Sequence, residues 1–185
     1  MKEKILACLE ACPVIAAIRD KRFSSALKSN VDIIFLFGAG ILTVKDRIDA
    51  AHKSGKYIFV HIDLTEGISR DKYGVEFLAD LGVDGIISTK ASLIRCAKEH
   101  GLITVQRFFA YDSQGVESID EMLSQSSPDI IEIMPGVIGK IITRFANAKA
   151  PLIAGGLIET KAEVTSALSL GAFAVSTGKE ELWDI

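Results

Sequence analysis

The chain has 185 residues, of which 49% are hydrophobic and 24% are charged, and its formal net charge is −3. The length suits one domain, and the composition excludes an intrinsically disordered chain. The acidic balance argues against a general binder of nucleic acids or anionic membranes, although it is compatible with a small basic patch. No apolar run reaches the length of a membrane span, and the first residues lack a signal peptide's apolar core. Three cysteines form no disulfide framework, so we expect a cytoplasmic protein without membrane contact.

Short apolar runs rich in β-branched residues recur along the chain and predict eight strands. In order, they cover residues 13–19, 32–38, 57–63, 85–89, 102–109, 129–135, 151–156 and 172–178. Helical patterns lie between them, and several end at a glycine, as at Gly55, Gly101 and Gly171. Such alternation is typical of parallel β-α-β units, whose buried strands read as continuous apolar runs.

Eight such units predict an α/β fold, a compact (β/α)8 TIM-type barrel that forms a single domain over residues 1–185. Residues 1–12 then form an extra N-terminal helix that covers the bottom of the barrel. An open, doubly wound sheet is the alternative, because it has the same alternation of strands and helices. The absence of long insertions between the eight strands favours closure.

Polar residues stand at the carboxyl ends of several predicted strands, where barrels of this type build their sites. The five that we expect to contact a small polar ligand are His61, Asp63, Lys90, Arg107 and Glu132. Arg107 and Glu132 lie on adjacent strands at similar depth, so a salt bridge is expected. That pair either serves a charged pocket or fills the barrel interior.

Two interpretations of the histidine and the aspartate stay open. His61 and Asp63 share parity in an extended strand, so both are expected to point into the barrel mouth. There Asp63 would orient His61 as a general base, or the two would form a purely structural hydrogen bond. Asp63 and Glu132 are a weak signal for a divalent cation, because carboxylates on distant strands are common in barrels. We therefore expect neither a metal nor a cofactor.

The segment LIAGGLIET, residues 152–160, ends the seventh strand on two glycines, and STG ends the eighth. Barrels often bind phosphate in the loops after these two strands. Glycine lets backbone N–H groups approach an oxyanion closely, and hydroxyl groups add further donors. Thr177 is also expected to cap a short final helix. The predicted phosphate-binding residues are Gly155, Gly156, Ser176, Thr177 and Gly178.

Several blocks of the chain, in order, are similar to the glycerol-3-phosphate-responsive antiterminator family. The most similar stretches are CPVIAAI (12–18), FVHIDLTEGIS (59–69), GVDGIISTK (82–90), TVQRFFAYDS (104–113), PDIIEIMPGVIGKII (128–142), PLIAGGLI (151–158) and AFAVSTGKEELW (172–183). The last block departs from the family at Gly178 and Lys179. The resemblance implies a transcription antiterminator of glycerol metabolism that binds glycerol 3-phosphate and the leader mRNA of glycerol-utilisation genes.

The resemblance thus favours an RNA-binding regulator over an enzyme, and it leaves a homo-oligomer open. The RNA-binding surface has no sequence signature, such as an RNP motif or an arginine-rich segment. Six basic residues near strand ends form either a modest rim or scattered solvated charges: Lys21, Arg22, Arg70, Lys72, Lys140 and Arg144.

The alternative function is a TIM-barrel enzyme, an isomerase, aldolase or phosphodiesterase acting on a small phosphorylated metabolite. In that enzyme the same five polar residues would be catalytic, with His61 as base and Lys90 as a Schiff-base or charge-stabilising residue.

Overall fold

The computed structural model describes residues 1–185, except for the side chain of Asp20. Eight parallel strands pair in chain order and close into a barrel, because β8 also pairs with β1. The closed barrel confirms the predicted (β/α)8 fold and excludes the open, doubly wound sheet. The strands are β1 (Val14–Arg19), β2 (Ile33–Phe37), β3 (Tyr57–His61), β4 (Gly85–Ser88), β5 (Ile103–Phe109), β6 (Ile130–Met134), β7 (Leu152–Gly155) and β8 (Ala174–Thr177).

An α-helix precedes β1 and another follows each of the first seven strands, whereas only a 3-10 turn, Glu180–Leu182, follows β8. The sequence explains the start of the last α-helix well: the Thr160 hydroxyl accepts the N–H of Glu163, whose carboxylate accepts the N–H of Thr160. Within the described part of the chain, none of the helices has the length and apolar character needed to cross a bilayer. The helices are α1 (Lys2–Ala11), α2 (Phe23–Lys28), α3 (Val44–Lys53), α4 (Lys72–Asp80), α5 (Ala91–Glu99), α6 (Ser113–Ser126), α7 (Gly139–Phe145) and α8 (Lys161–Ser169).

Helix α1 covers the bottom of the barrel, as predicted. Its buried residues Ile5 and Leu9 belong to the same apolar cluster as the lower interior residues of the strands. Gly85 has no side chain to compete with the ring of Phe59 in this cluster, since a Cβ there would lie 2.3 Å from the ring. Burying these large side chains closes the lower end of the barrel, so only the upper end remains open to a ligand.

The barrel interior is apolar in its lower layer and becomes polar in the next layer, which is formed by residues two positions further along each strand. Successive inward positions in a strand are two residues apart. Five strands therefore place an apolar residue in the lower layer and a polar residue or a glycine above it: Phe59 and His61, Val105 and Arg107, Ile130 and Glu132, Ile153 and Gly155, and Ala174 and Ser176. The polar layer is the floor of the upper opening.

Candidate ligand site at the barrel mouth

A cavity of about 470 Å³ opens at the carboxyl end of the barrel. It lies over the loops that follow β7 and β8 and reaches the ends of β1, β2, β5 and β6. Its size is within the range of small-ligand sites. Six of the predicted site residues line it: Arg107, Glu132, Gly156, Ser176, Thr177 and Gly178. The other predicted residues, Gly155, His61, Asp63 and Lys90, do not.

The floor of the cavity carries a buried ion pair between β5 and β6. Arg107 and Glu132 are register partners, and Arg107 donates its Nε–H to Glu132 Oε2 at 2.6 Å. Ser176 donates its hydroxyl to the other carboxylate oxygen, Oε1, also at 2.6 Å. Glu132 is fully buried, so these two contacts compensate for the loss of its hydration. The salt bridge predicted from the sequence is confirmed, and it is joined to β8 by Ser176.

Gly155 makes room for this network. A Cβ at Gly155 would lie 2.6 Å from Glu132 Oε1 and 2.7 Å from Ser176 Oγ, closer than real contacts allow. The glycine is buried inside β7 and does not line the cavity. Its missing side chain therefore has a packing explanation that the sequence motif did not reveal.

The loop after β7 has a strained backbone beside the cavity. Gly156 has φ +75°, and Leu157 has φ +60°, which is unfavourable for a branched residue with a Cβ. The Leu157 side chain is nevertheless 67% exposed. Within the described residues, the N–H groups of Gly156, Leu157 and Gly178 have no hydrogen-bond acceptor. Strain of this kind is concentrated at functional loops, and the three donors remain available to a ligand.

Thr177 does not cap the final helix. Its hydroxyl donates to the carbonyl of Ile158 at 2.7 Å and accepts the N–H of Lys179 at 3.1 Å. The segment that follows is a three-residue 3-10 turn whose N-cap position is Lys179. The predicted cap was wrong because Thr177 is the last residue of β8, and its hydroxyl instead joins the β7 and β8 loops.

Two cations stand at the rim of the cavity above these loops. Arg22 donates from Nη1 to the carbonyl of Gly178 and lies 3.8 Å from Glu180. Lys179 forms a 3.3 Å salt bridge with Glu159, which links the β8 loop to the β7 loop. Both side chains are about half exposed, so they can reorient toward an anion.

His61 is almost completely buried, and Asp63 lies beside it in a different setting from the predicted one. Strand β3 ends at His61, and Asp63 lies in the 3-10 turn Ile62–Leu64, so strand parity does not govern its direction. Its carboxylate accepts the hydroxyl of Ser88 at 2.9 Å and the N–H of Thr89 at 2.8 Å. His61 Nδ1 is 3.7 Å from Asp63 Oδ2, longer than a hydrogen bond, and has no partner among the described residues.

Burial and the nearby Arg107 guanidinium lower the pKa of His61 to about 4, against the opposing effect of Asp63 and Glu132. At neutral pH the imidazole is therefore uncharged. Both interpretations of the His61–Asp63 pair assumed a hydrogen bond, and that bond is not formed here.

Phe37 is a site residue that the sequence pattern did not indicate. It lines the cavity at the end of β2 and lies 4.6 Å from the Arg107 guanidinium, as a cation–π contact. It also packs edge-on against His61, with ring centroids 5.7 Å apart. A phenylalanine in an apolar strand looks like a core residue, so only the closed barrel reveals its position over two polar side chains.

Lys90 stands apart from the cavity. It is exposed at the N-cap of α5, outside the barrel interior. Its place differs from that of a Schiff-base lysine, which needs a desolvated pocket. Among the described residues, no group of three or more histidine, cysteine, aspartate or glutamate side chains is arranged to hold a metal ion.

The fold defines a TIM-barrel protein, and its mouth cavity lies at the carboxyl ends of the strands. The chain belongs to the glycerol-3-phosphate responsive antiterminator family, whose model matches residues 14–183. It is 35% identical over 184 residues to the uncharacterized protein YgcP of Escherichia coli (strain K12), an alignment that covers 98% of this chain and 96% of that protein.

Two solved structures of antiterminator proteins are also similar. One is the glycerol uptake operon antiterminator regulatory protein from Listeria monocytogenes strain 4b F2365, with a TM-score of 0.88 and 31% identity over 93% of this chain and 95% of that one. The other is a glycerol uptake operon antiterminator-related protein from Thermotoga maritima MSB8, with a TM-score of 0.83 and 31% identity over 92% of this chain and 96% of that one. The family predicted from the sequence is confirmed.

Proposed function

We propose that this protein is a ligand-sensing transcription antiterminator that binds glycerol 3-phosphate in the barrel mouth and acts on leader mRNA. Family membership supplies the regulatory class. The observation that carries the proposed ligand is the composition of the cavity wall at the β7 and β8 loops. Three free backbone N–H groups, of Gly156, Leu157 and Gly178, lie there together with two cations, Arg22 and Lys179. This set of donors matches the oxygens and the charge of a phosphate.

The floor of the cavity suits the other end of the ligand. The carboxylate of Glu132 and the guanidinium of Arg107 are held rigidly by each other and by Ser176. Together they offer an acceptor and donors to alcohol groups, while Phe37 supplies an apolar wall. A short polyol phosphate carries both kinds of group. The phosphate roles of Gly156, Ser176, Thr177 and Gly178, and the hydroxyl-binding roles of Arg107 and Glu132, belong to this proposal.

The remaining predicted residues have supporting roles in the proposal. Gly155 keeps the space that Glu132 and Ser176 occupy. His61 and Asp63 lie behind Phe37 and beside β4, and they support the floor rather than touch the ligand. Lys90 faces solvent at the N-cap of α5 and has no ligand contact in this proposal.

Thermal unfolding of the purified protein tests the proposal. Glycerol 3-phosphate at a hundredfold excess over its Kd stabilises the folded state by about 2.7 kcal/mol. For a domain of this size, that energy raises the Tm by about 5–10 °C. Glycerol and inorganic phosphate, each offering half of the ligand, are expected to give much smaller shifts. Absence of a shift at millimolar glycerol 3-phosphate contradicts the proposed ligand, and failure to retain RNA in its presence contradicts the proposed partner.

One observation favours a second candidate, an enzyme that acts on a small phosphorylated metabolite. His61 is an uncharged imidazole with an unpartnered Nδ1, placed near the polar floor, and such a group is suited to proton transfer. Turnover of glycerol 3-phosphate or of sugar phosphates, followed by phosphorus NMR, distinguishes the two functions. Loss of that turnover in His61→Gln, with the melting shift retained, would establish the enzyme.

A further inference from the structure

The exposed apolar residues of this protein collect on one face of the barrel. Eleven large hydrophobic residues are exposed in the described part of the chain, and seven of them lie in the loops that follow β2, β3, β5, β6 and β7 or at the end of β5. An eighth, Tyr73, lies in the first turn of α4, and all of these segments follow the carboxyl ends of strands. Exposed large apolar residues that gather on one face of a protein are a mark of an interaction surface. The eight residues are Ile41, Leu42, Leu64, Tyr73, Phe109, Tyr111, Val137 and Leu157.

Two of these residues form a flat aromatic surface. The rings of Phe109 and Tyr111 stack with an interplanar angle of 2° and centroids 5.3 Å apart. Tyr111 is 79% exposed and Phe109 37% exposed, so one face of the stack is open to solvent. A groove of about 480 Å³ runs beside it, lined by residues of the β5 and β6 loops and of α6 and α7. A second exposed tyrosine, Tyr73, stands in the first turn of α4 with the ammonium of Lys72 4.9 Å above its ring.

Positive charges lie between these aromatic residues. The loops and first helical turns after β3, β4 and β6 carry four exposed cations, and among the described residues none of the four forms a salt bridge: Arg70, Lys72, Lys90 and Lys140. Acidic residues also lie here: Asp71 interacts electrostatically with Lys72, and Asp112 and Glu117 line the groove beside Lys140. Asp71 accepts the N–H groups of Tyr73 and Gly74, and Asp112 accepts the N–H of Gly115. The arc over β3 to β6 presents cations that form no salt bridge around exposed rings.

We propose that this arc, defined by Tyr73, Lys72, Lys90, Phe109, Tyr111 and Lys140, binds a single-stranded segment of RNA by stacking unpaired bases on Tyr111 and Tyr73. The inference rests on the proposed antiterminator function and assigns the surface that contacts the RNA. Aromatic faces with interleaved cations are the common means of holding single-stranded nucleic acid, since the rings stack with bases and the cations contact phosphates. The acidic net charge of the whole chain is compatible with it because a local group of exposed cations is enough to contact phosphates.

The arc is joined directly to the ligand cavity. Phe109 follows Arg107 by two residues in β5, and the N–H of Ala110 donates to the carbonyl of Met134 at 2.8 Å. Arg107 and Met134 both line the cavity. A ligand that contacts Arg107 therefore touches the same strand that carries Phe109 at its end. Through this strand, ligand binding can favour the position of the aromatic stack that binds RNA.

The test uses the full-length protein and RNAs selected from a random pool by capture on the wild type with glycerol 3-phosphate present. Tyr111→Ala is expected to weaken RNA binding by at least about fivefold, and Tyr111→Phe to keep it, because stacking needs the ring and not the hydroxyl. Lys53→Ala, an exposed lysine in the last turn of α3 at the opposite end of the barrel, is the matched control and is expected to bind RNA as the wild type does. Cross-linking with 5-iodouridine in the selected RNA is expected to label the peptide that contains residues 108–113.

The outcomes separate this inference from the function on which it rests. If the wild type captures no RNA, the antiterminator function itself fails and the arc fails with it. If the wild type captures RNA but the Tyr111→Ala and Tyr73→Ala variants bind it equally well, the arc is wrong and the function stands. A dimer of the wild type that Tyr111→Ala dissociates would assign the arc to a contact between two copies of the chain. An unchanged melting shift with glycerol 3-phosphate shows that each variant is folded.

Discussion

Arg107 donates its Nε–H to Glu132 at 2.6 Å from the neighbouring strand, and the cation also lies against the ring of Phe37. The pair lies at the floor of the mouth cavity, where one partner is fully buried and the other nearly so. In the proposed site, this pair supplies the groups that bind the hydroxyl end of the ligand. The contribution of this ion pair to the free energy of unfolding is therefore the first quantity to measure.

Replacing Arg107 by methionine leaves the Glu132 carboxylate buried without its cation. We expect the free energy of unfolding in urea at pH 7 to fall by about 3–5 kcal/mol. The double variant Arg107→Met, Glu132→Gln removes both charges, and it is expected to recover much of that loss. A single variant within about 1 kcal/mol of the wild type would show that the buried Glu132 carboxylate does not depend on Arg107.

Gly155→Ala tests the packing explanation for the first glycine of the pair. The new methyl group would lie 2.6 Å from Glu132 Oε1, so we expect a loss of about 1–3 kcal/mol in unfolding free energy. Gly40→Ala is the control, because its nearest neighbour is a Thr43 oxygen at 3.8 Å and its cost is expected to be within about 0.5 kcal/mol. Equal free energies of unfolding for the two variants would contradict the packing explanation for Gly155.

Stability against pH tests the burial of His61. Its pKa is about 4 in the folded protein and near 6.5 when unfolded, so the unfolded state binds more protons between these values. Above pH 6.5 the histidine is uncharged in both states and does not lower the free energy of unfolding. As the pH falls from 6.5 toward 4, the unfolded state takes up the proton first, and the free energy of unfolding falls. Between pH 8 and pH 5, we expect a loss of about 2 kcal/mol that His61→Gln does not show. Parallel pH profiles for the two proteins would mean that His61 is not held uncharged.

The salt bridge between Lys179 and Glu159 is expected to restrain the proposed phosphate site. In the free protein Glu159 holds the ammonium, so Glu159→Gln releases the cation and removes a negative charge from the cavity wall. We expect affinity for glycerol 3-phosphate to rise by about two- to fivefold in Glu159→Gln and to fall similarly in Lys179→Met, with both effects reduced by salt. Titration at two ionic strengths measures this. Weaker binding in Glu159→Gln would show that the carboxylate itself contacts the ligand.

The sequence predicted the architecture well because the fold follows from local patterns. Eight apolar runs became eight strands, each shortened by no more than two residues at either end, and the predicted Arg107–Glu132 pair formed because register places the two side by side. Period-two alternation explains why the interior becomes polar at one depth. These features depend on residues that are neighbours in the chain and on the order of the strands. Both can be inferred from the sequence pattern.

The details that depend on distant contacts were not predictable in this way. Phe37 has the pattern of a core residue, but in the closed barrel its ring lies against the Arg107 guanidinium. Thr177 has the pattern of a helix cap, but its hydroxyl donates to the carbonyl of Ile158.

Gly156 is an ambiguous position for testing phosphate binding by substitution. Its φ is +75°, and a Cβ there would lie 2.6 Å from Met134 Cε, so a valine would strain the backbone as well as block a ligand. Gly178 has no positive φ, and a Cβ there would lie 3.3 Å from the carbonyl oxygen of Ala17 and from Arg22 Nη1, so it is the less strained position for a blocking substitution.

Calorimetric titration of the wild type and of Gly178→Val with glycerol 3-phosphate tests the central claim most directly. We predict one molecule bound for each chain of the wild type, no detectable binding of glycerol alone, and affinity at least about tenfold lower in the valine variant, a difference of about 1.4 kcal/mol. Unchanged melting without ligand is the control for folding of the variant. No heat from the wild type at millimolar glycerol 3-phosphate, or equal affinity in Gly178→Val, would contradict a phosphate site at the ends of β7 and β8.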